Sequence, residues 1–222
     1  MVTEWFADRA DAGRQLADAL GDYAGRRDVV VLALPRGGVP VAYPVACALR
    51  APLDVLVVRK LGVPYDPELA MGAIATGGAI HLQRSVLRSM NVSDTQLADV
   101  IARETAELHR REALYRGAAP PLSVAGRVAI VVDDGIATGA SMRVALQALR
   151  ERRPARVVAA APVAPAGARH AFDDLADAFV AVSQPSSFFG ISQFYACFEQ
   201  TSDDEVRALL DAARLRPGIT SA

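Results

Sequence analysis

The sequence predicts an α/β protein built on a doubly wound, mostly parallel sheet, and three observations carry that reading. β-Branched runs of strand length, such as Val29 to Leu34 and Val128 to Val132, are apolar at consecutive positions, as in strands buried on both faces. Stretches with helical apolar spacing alternate with them, the pattern of β-α-β units. The two clearest runs end in Gly-containing turns, Pro35-Arg36-Gly37-Gly38 and Asp133-Asp134-Gly135, at the carboxyl edge where ligands of such sheets sit.

The elements follow in order. Asp8 to Tyr23 has Ala12, Leu16, Ala19 and Leu20 on one face and predicts an amphipathic helix ending near Gly21. Asp28 to Leu34 is the first buried strand, stopped by Pro35. Val39 to Leu49 reads as a helix with Pro40 in its first turn, while Pro44 blurs its start. Leu53 to Val58 is the next strand. Arg59 to Gly78, RKLGVPYDPELAMGAIATGG, reads as a long loop with one strand-like piece, Met71 to Ala75. Long loops in compact domains are usually lids or binding segments.

Ser93-Asp-Thr-Gln96 is a capping-box pattern that opens a helix to about Arg116. Its apolar face, with Leu97, Val100, Ile101, Leu108 and Leu114, either covers the sheet or meets a second copy of the chain. Arg127 to Val132 is a strand, Gly139 to Arg152 a helix, and Arg156 to Ala161 and Asp177 to Val182 are strands flanking a helix around 166–175. After Ser183 an aromatic-rich tail holds Phe188, Phe189, Phe194, Tyr195 and Phe198, and Asp203 to Arg214 closes the chain as a helix. The expected organisation is one domain over 1–222, with a core of about 25–182 and a small hood from 1–24 and 183–222.

Composition narrows the function. Twenty-four basic and 25 acidic residues leave a net charge of -1, so no electrostatic footprint for nucleic acid or an anionic membrane is present. The longest apolar stretches are far short of the roughly 20 residues that span a bilayer. The first residues, MVTEWFADRADAG, lack an apolar signal region, and a cytoplasmic location is expected. Cys47 and Cys197 are distant in sequence and read as buried thiols. Twenty-three of the basic residues are Arg; the single Lys is Lys60.

Chemistry concentrates in VAIVVDDGIATGAS, residues 128–141. A hydrophobic strand delivers Asp133 and Asp134 to the sheet edge, and Ile136, Ala137, Thr138, Gly139, Ala140 and Ser141 form a turn into a helix N-terminus. Such a turn aims backbone N–H groups and hydroxyls at one anion. Carboxylates beside a phosphate cradle must hold something attached to the phosphate, such as sugar hydroxyls or Mg²⁺. A sugar phosphate satisfies both. An Asp-Asp-Gly turn could also simply start a loop, and acidic pairs at strand ends occur in phosphoacceptor receiver domains as well.

This segment resembles the 5-phosphoribosyl diphosphate signature of the type I phosphoribosyltransferases. The resemblance implies that Asp133 and Asp134 hold the ribose hydroxyls, with Mg²⁺ reached through water or those hydroxyls, and that Ile136 to Ser141 hold the 5′-phosphate. It implies that Arg36, Gly37 and Gly38 bind the diphosphate, in a loop with a non-proline cis peptide for which Arg36-Gly37 is the candidate. Arg59 and Lys60, at the head of the long loop, would be catalytic cations on the leaving diphosphate. The 6-oxopurine members usually have an Asp where Ala137 stands, so the wording is closer to the adenine type and the base stays open.

The implied reaction is salvage: a nitrogenous base displaces diphosphate from the ribose anomeric carbon in a homodimeric enzyme. A non-catalytic sensor of the same ligand is the alternative. No general base stands in the motif itself; Glu68 in the long loop is a candidate, against the reading that it is simply a solvent-exposed loop acid. The tail aromatics Phe188, Phe189, Tyr195 and Phe198 either stack a base or form a subcore. Arg150, Arg152, Arg153 and Arg156 read as a solvated helix end, and His81, His109 and His170 lack metal-ligand spacing.

Overall fold

Alternate residues of one buried strand feed two separate cores. Val29, Val31 and Ala33 of β1 (Val29–Ala33) face one side of a sheet and Val30 and Leu32 the other, and all five are buried. This is why the run is apolar throughout rather than at every second position. The computed structural model describes residues 6–117 and 119–216. β1 is joined in parallel by β2 (Leu53–Val55), β6 (Val128–Val132), β7 (Arg156–Val163) and β8 (Ala178–Ser183), in the order β2-β1-β6-β7-β8.

Helices α1 (Arg9–Ala19), α2 (Gly38–Leu49) and α6 (Asp203–Arg214) pack Leu16, Val41, Val45, Val206 and Leu210 into the first core. α5 (Ala140–Arg150) covers the other face with Met142, Ala145, Leu146 and Leu149. Helices therefore lie on both faces, as a doubly wound sheet requires. After the short α3 (Arg84–Ser89), α4 (Asp94–Arg116) begins at Ser93 with the capping box read from the sequence, the Ser93 hydroxyl accepting from Gln96 N and the Gln96 side chain accepting from Ser93 N.

Most of the segment read as a long loop is instead antiparallel sheet, and its strand-like piece, Met71 to Ala75, is the end of the middle strand. β3 (Val58–Val63), β4 (Asp66–Ala75) and β5 (Ala79–Leu82) pair in that order. Its Gly and Pro residues hid the strands: the register shifts on both sides of Gly62, an irregularity typical of glycine inside a strand. Leu61, Val63, Met71 and Ile74 join the first core. The expected helix around 166–175 shrinks to a single 3₁₀ segment, Ala168–Phe172. Between α1 and the tail, the N–H groups of Phe6, Ala196 and Cys197 donate to Phe194 O, Phe6 O and Ala7 O, which binds the two chain ends together.

Candidate active site

Two turns leave the carboxyl ends of β1 and β6 and press against each other. The first enters α2 at Gly37, which already has helical dihedrals, and Gly38 N donates to Leu34 O at 3.0 Å. With Gly37 in the helical turn, the cis bond lies one residue earlier than the resemblance implied, between Pro35 and Arg36. The second turn carries Asp133 and Asp134 and reaches α5 through Gly139, whose φ of 75° is a conformation other residues rarely adopt. A Cβ at Gly38 would stand 2.7 Å from Val132 O, and one at Gly37 would overlap Asp134 Oδ2. The paired glycines thus let the first turn approach the acidic pair.

The two carboxylates are held differently. Asp133 Oδ1 accepts from Asp134 N at 2.9 Å, and burial together with the charge of Asp134 pushes its carboxyl well above the usual range. Asp134 Oδ2 accepts from Arg9 Nε at 2.9 Å and pairs with Arg9 Nη2 at 2.8 Å. Burial pushes Asp134 upward as well, opposed by the Arg9 guanidinium. The Tyr195 hydroxyl donates to Asp134 O at 2.6 Å, and burial, with the neighbouring Asp134 charge, raises its own pKa.

Ile136 is buried in the second core and its N–H donates to Val163 O, so it anchors the second turn rather than offering a free donor. Ala137, Thr138, Ala140 and Ser141 are exposed along the rim, with Thr138 Oγ1 accepting from Ala140 N at 3.4 Å. A cavity of about 230 Å³ opens between the two turns. Leu34, Pro35, Val58, Ala140 and Val144 form part of its wall, and Lys60, Arg111 and Ser141 supply polar groups.

Lys60 and Arg59 diverge because adjacent residues on a strand point to opposite faces. Lys60 lines the cavity, with Nζ donating to Glu68 Oε2 at 3.2 Å and Glu68 O at 3.3 Å. Arg59 turns to α4 and donates through Nε and Nη2 to Glu104 Oε2 at 2.9 and 2.7 Å. Arg36 is exposed at the tip of the first turn.

Residues 4–196 match the phosphoribosyl transferase domain family. The chain belongs to this family. It is 41% identical, with a TM-score of 0.82, to the crystal structure of TT1426 from Thermus thermophilus, over 93% of this chain and 97% of that one. It is also 48% identical over 94% of its length to "Putative phosphoribosyl transferase Rv0571c" of Mycobacterium tuberculosis (strain ATCC 25618 / H37Rv) and to its counterpart in strain CDC 1551 / Oshkosh. The chain spans 47% of the length of these curated relatives, about half.

Two residues of this phosphoribosyltransferase fold stand at the site without having been legible in the sequence. Arg111 lines the cavity from a helix read as a cover for the sheet or a contact with a second copy, and its Nε is held by Glu107 Oε1 at 2.8 Å. Arg9 is the first residue of α1, where a cation opposes the helix dipole. That mismatch was the one available signal. Of the tail aromatics, Phe188, Phe194, Tyr195 and Phe198 form a subcore with Phe6, while Phe189 is 92% exposed. Cys197 is exposed and not a buried thiol, because it lies on the outer strip formed by the chain ends; Cys47 is half-buried, and both are free. Arg152 is not a solvated helix end, since its Nη2 donates to Leu122 O at 2.7 Å and burial lowers its pKa. Among the described residues, no helix is long and apolar enough to cross a membrane.

Proposed function

We propose that the protein transfers the 5-phosphoribosyl group of 5-phosphoribosyl diphosphate to a nitrogenous base and releases diphosphate. The observation that carries this reading is the meeting of two anion-type turns at one sheet edge, with an acidic pair on one and a cavity between them lined by Lys60, Arg111 and Ser141. In this reading Asp133 and Asp134 hold the ribose hydroxyls, and the turn Thr138 to Ser141 at the N-terminus of α5 holds the 5′-phosphate. Arg36, Lys60 and Arg111 neutralise the diphosphate as it leaves. Their charges act where the scissile bond gains negative charge, so they favour the transition state over the bound substrate.

The acidic pair also fits Mg²⁺. Asp133 has no cation partner among the described residues, and carboxylate oxygens suit a hard ion that takes one or two carboxylates and completes its shell with water and phosphate. No group of three or more ligating side chains stands together among the described residues, so the ion would arrive with its phosphate ligands. When bound, Mg²⁺ supplies charge neutralisation to the diphosphate.

One observation favours a second reading, a non-catalytic sensor of the same ligand: Arg59 and Lys60 are both engaged by carboxylates, Glu104 and Glu68. Incubating the protein with Mg²⁺, labelled 5-phosphoribosyl diphosphate and a panel of purines, pyrimidines and pyridines separates the two. Diphosphate release with any base supports the enzyme. Saturable binding with no release selects the sensor, and no binding overturns both.

A further inference from the structure

Arg9 reaches the sugar-phosphate turn from outside it. Its guanidinium has three anchors: Asp134 Oδ2 through Nε and Nη2 at 2.9 and 2.8 Å, Glu199 O through Nη1 at 2.6 Å, and the Phe198 ring, whose centroid lies 3.8 Å away. The side chain is 12% exposed and that of Asp134 13%. The last two anchors belong to the tail strip, which the backbone bonds of Phe6, Ala196 and Cys197 tie to the start of α1. The guanidinium is therefore fixed by the hood whatever occupies the cavity.

Asp134 Oδ2 is walled in on two sides. Arg9 covers it on one, and Gly37 lies so close on the other that a Cβ there would overlap it. The oxygen left for a ligand is Oδ1, which has no hydrogen-bond partner among the described residues. Two adjacent carboxylates at a half-buried strand end repel each other and lose hydration. A fixed guanidinium offsets that repulsion through Oδ2 and leaves Oδ1 without a hydrogen-bond partner among the described residues.

We propose that Arg9 is a positioning residue for sugar-phosphate binding: it holds the Asp134 side chain turned so that Oδ1 and Asp133 are presented to the ribose hydroxyls. This rests on the sugar-phosphate reading of the pocket given above. It assigns to the hood a part in binding the sugar as well as in covering the site. The Arg fork serves three anchors at once, which the point charge of Lys cannot.

The test is binding of 5-phosphoribosyl diphosphate with Mg²⁺, measured by calorimetry, to the full chain and to Arg9→Gln, Arg9→Lys, Asp134→Asn and the double variant Arg9→Gln/Asp134→Asn. Arg9→Gln should bind at least tenfold more weakly and Arg9→Lys to an intermediate degree. On the Asp134→Asn background, Arg9→Gln should change the affinity less than threefold, an outcome that simple loosening of the hood would not give. Arg9→Lys keeps the test open should Arg9→Gln fail to fold. Unchanged affinity in Arg9→Gln overturns the positioning role, and tighter binding overturns it by making Arg9 a competitor for Asp134. If the unaltered protein does not bind, the sugar-phosphate reading itself falls and this inference with it.

Discussion

Gly37 and Asp134 are separated by most of the core sequence, yet a methyl group on Gly37 would overlap Asp134 Oδ2. The nearest atom is a carboxylate that Arg9 holds in place, so it cannot swing aside cheaply. Gly37→Ala should therefore cost about 1–3 kcal/mol of stability, the range for overpacking a closely packed site. It should also weaken ribose-phosphate binding, because the displaced group is the one expected to grip the sugar. Chemical denaturation and calorimetry on the same preparation test both effects; a variant with unaltered stability would show that the two turns are not in rigid contact.

Asp133 and Asp134 should separate stability from binding. Asp133 is a half-buried carboxylate beside another, with only a backbone N–H as its partner among the described residues. Asp133→Asn keeps the shape and removes the like-charge repulsion, so it should stabilise the fold by about 0.5–2 kcal/mol, as relief of a strained functional site often does. Asp134→Asn lacks that benefit, since it takes the charge away from Arg9. Each variant should lose ribose-phosphate affinity by tenfold or more. A destabilised Asp133→Asn, or full affinity in either, would count against the arrangement.

Lys60 and Arg111 reach the cavity from different elements, β3 and α4, and each is held by a glutamate, Glu68 and Glu107. Loss of a charge-assisted contact is worth about 1.5–3 kcal/mol, so Lys60→Ala and Arg111→Ala should each weaken diphosphate affinity by roughly ten- to a hundredfold. Lys60→Arg should also lower turnover, because a planar fork cannot place its charge where a compact ammonium sits. Arg59→Ala, on the opposite face of the strand, should act mainly on stability through Glu104. Inhibition by added diphosphate, compared across the four variants, ranks these contributions.

Legibility in the sequence followed the range of the interactions. The parallel core was readable because burial on both faces forces β1 and β6 to be apolar without a break, and the acidic pair was readable because its whole turn is contiguous. The β3-β4-β5 sheet was not, since Gly62, Pro64, Pro67 and Gly72 interrupt the alternation that marks a strand. Arg9 and Arg111 act across long stretches of chain, and nothing local distinguishes them from solvated arginines except the misplaced charge at the start of α1. The divergence of Arg59 and Lys60 needed only one further fact, that the segment carrying them is a strand.

Tyr115 gives the fold an alkaline limit. It is 6% exposed near the end of α4, and its hydroxyl donates to Asp203 Oδ1, in the first turn of α6, at 2.8 Å. Burial, then the hydrogen bond to Asp203 and that residue's charge, push the phenol up to about 12. An unfolded tyrosine titrates near 10. Between those values the unfolded chain releases a proton that the native chain keeps, so stability from this group is complete below about pH 10 and is lost as the pH rises toward 12. Tyr115→Phe removes the titration and the hydrogen bond together: it should cost about 1 kcal/mol at neutral pH, and its stability should fall less steeply than that of the unaltered protein in the alkaline range. Tyr43 and Tyr195 are raised too and remain in the variant, so the difference between the two proteins isolates Tyr115. Urea unfolding of both at pH 7, 9 and 11 supplies that difference, and parallel curves would show that the phenol is not what couples α4 to α6.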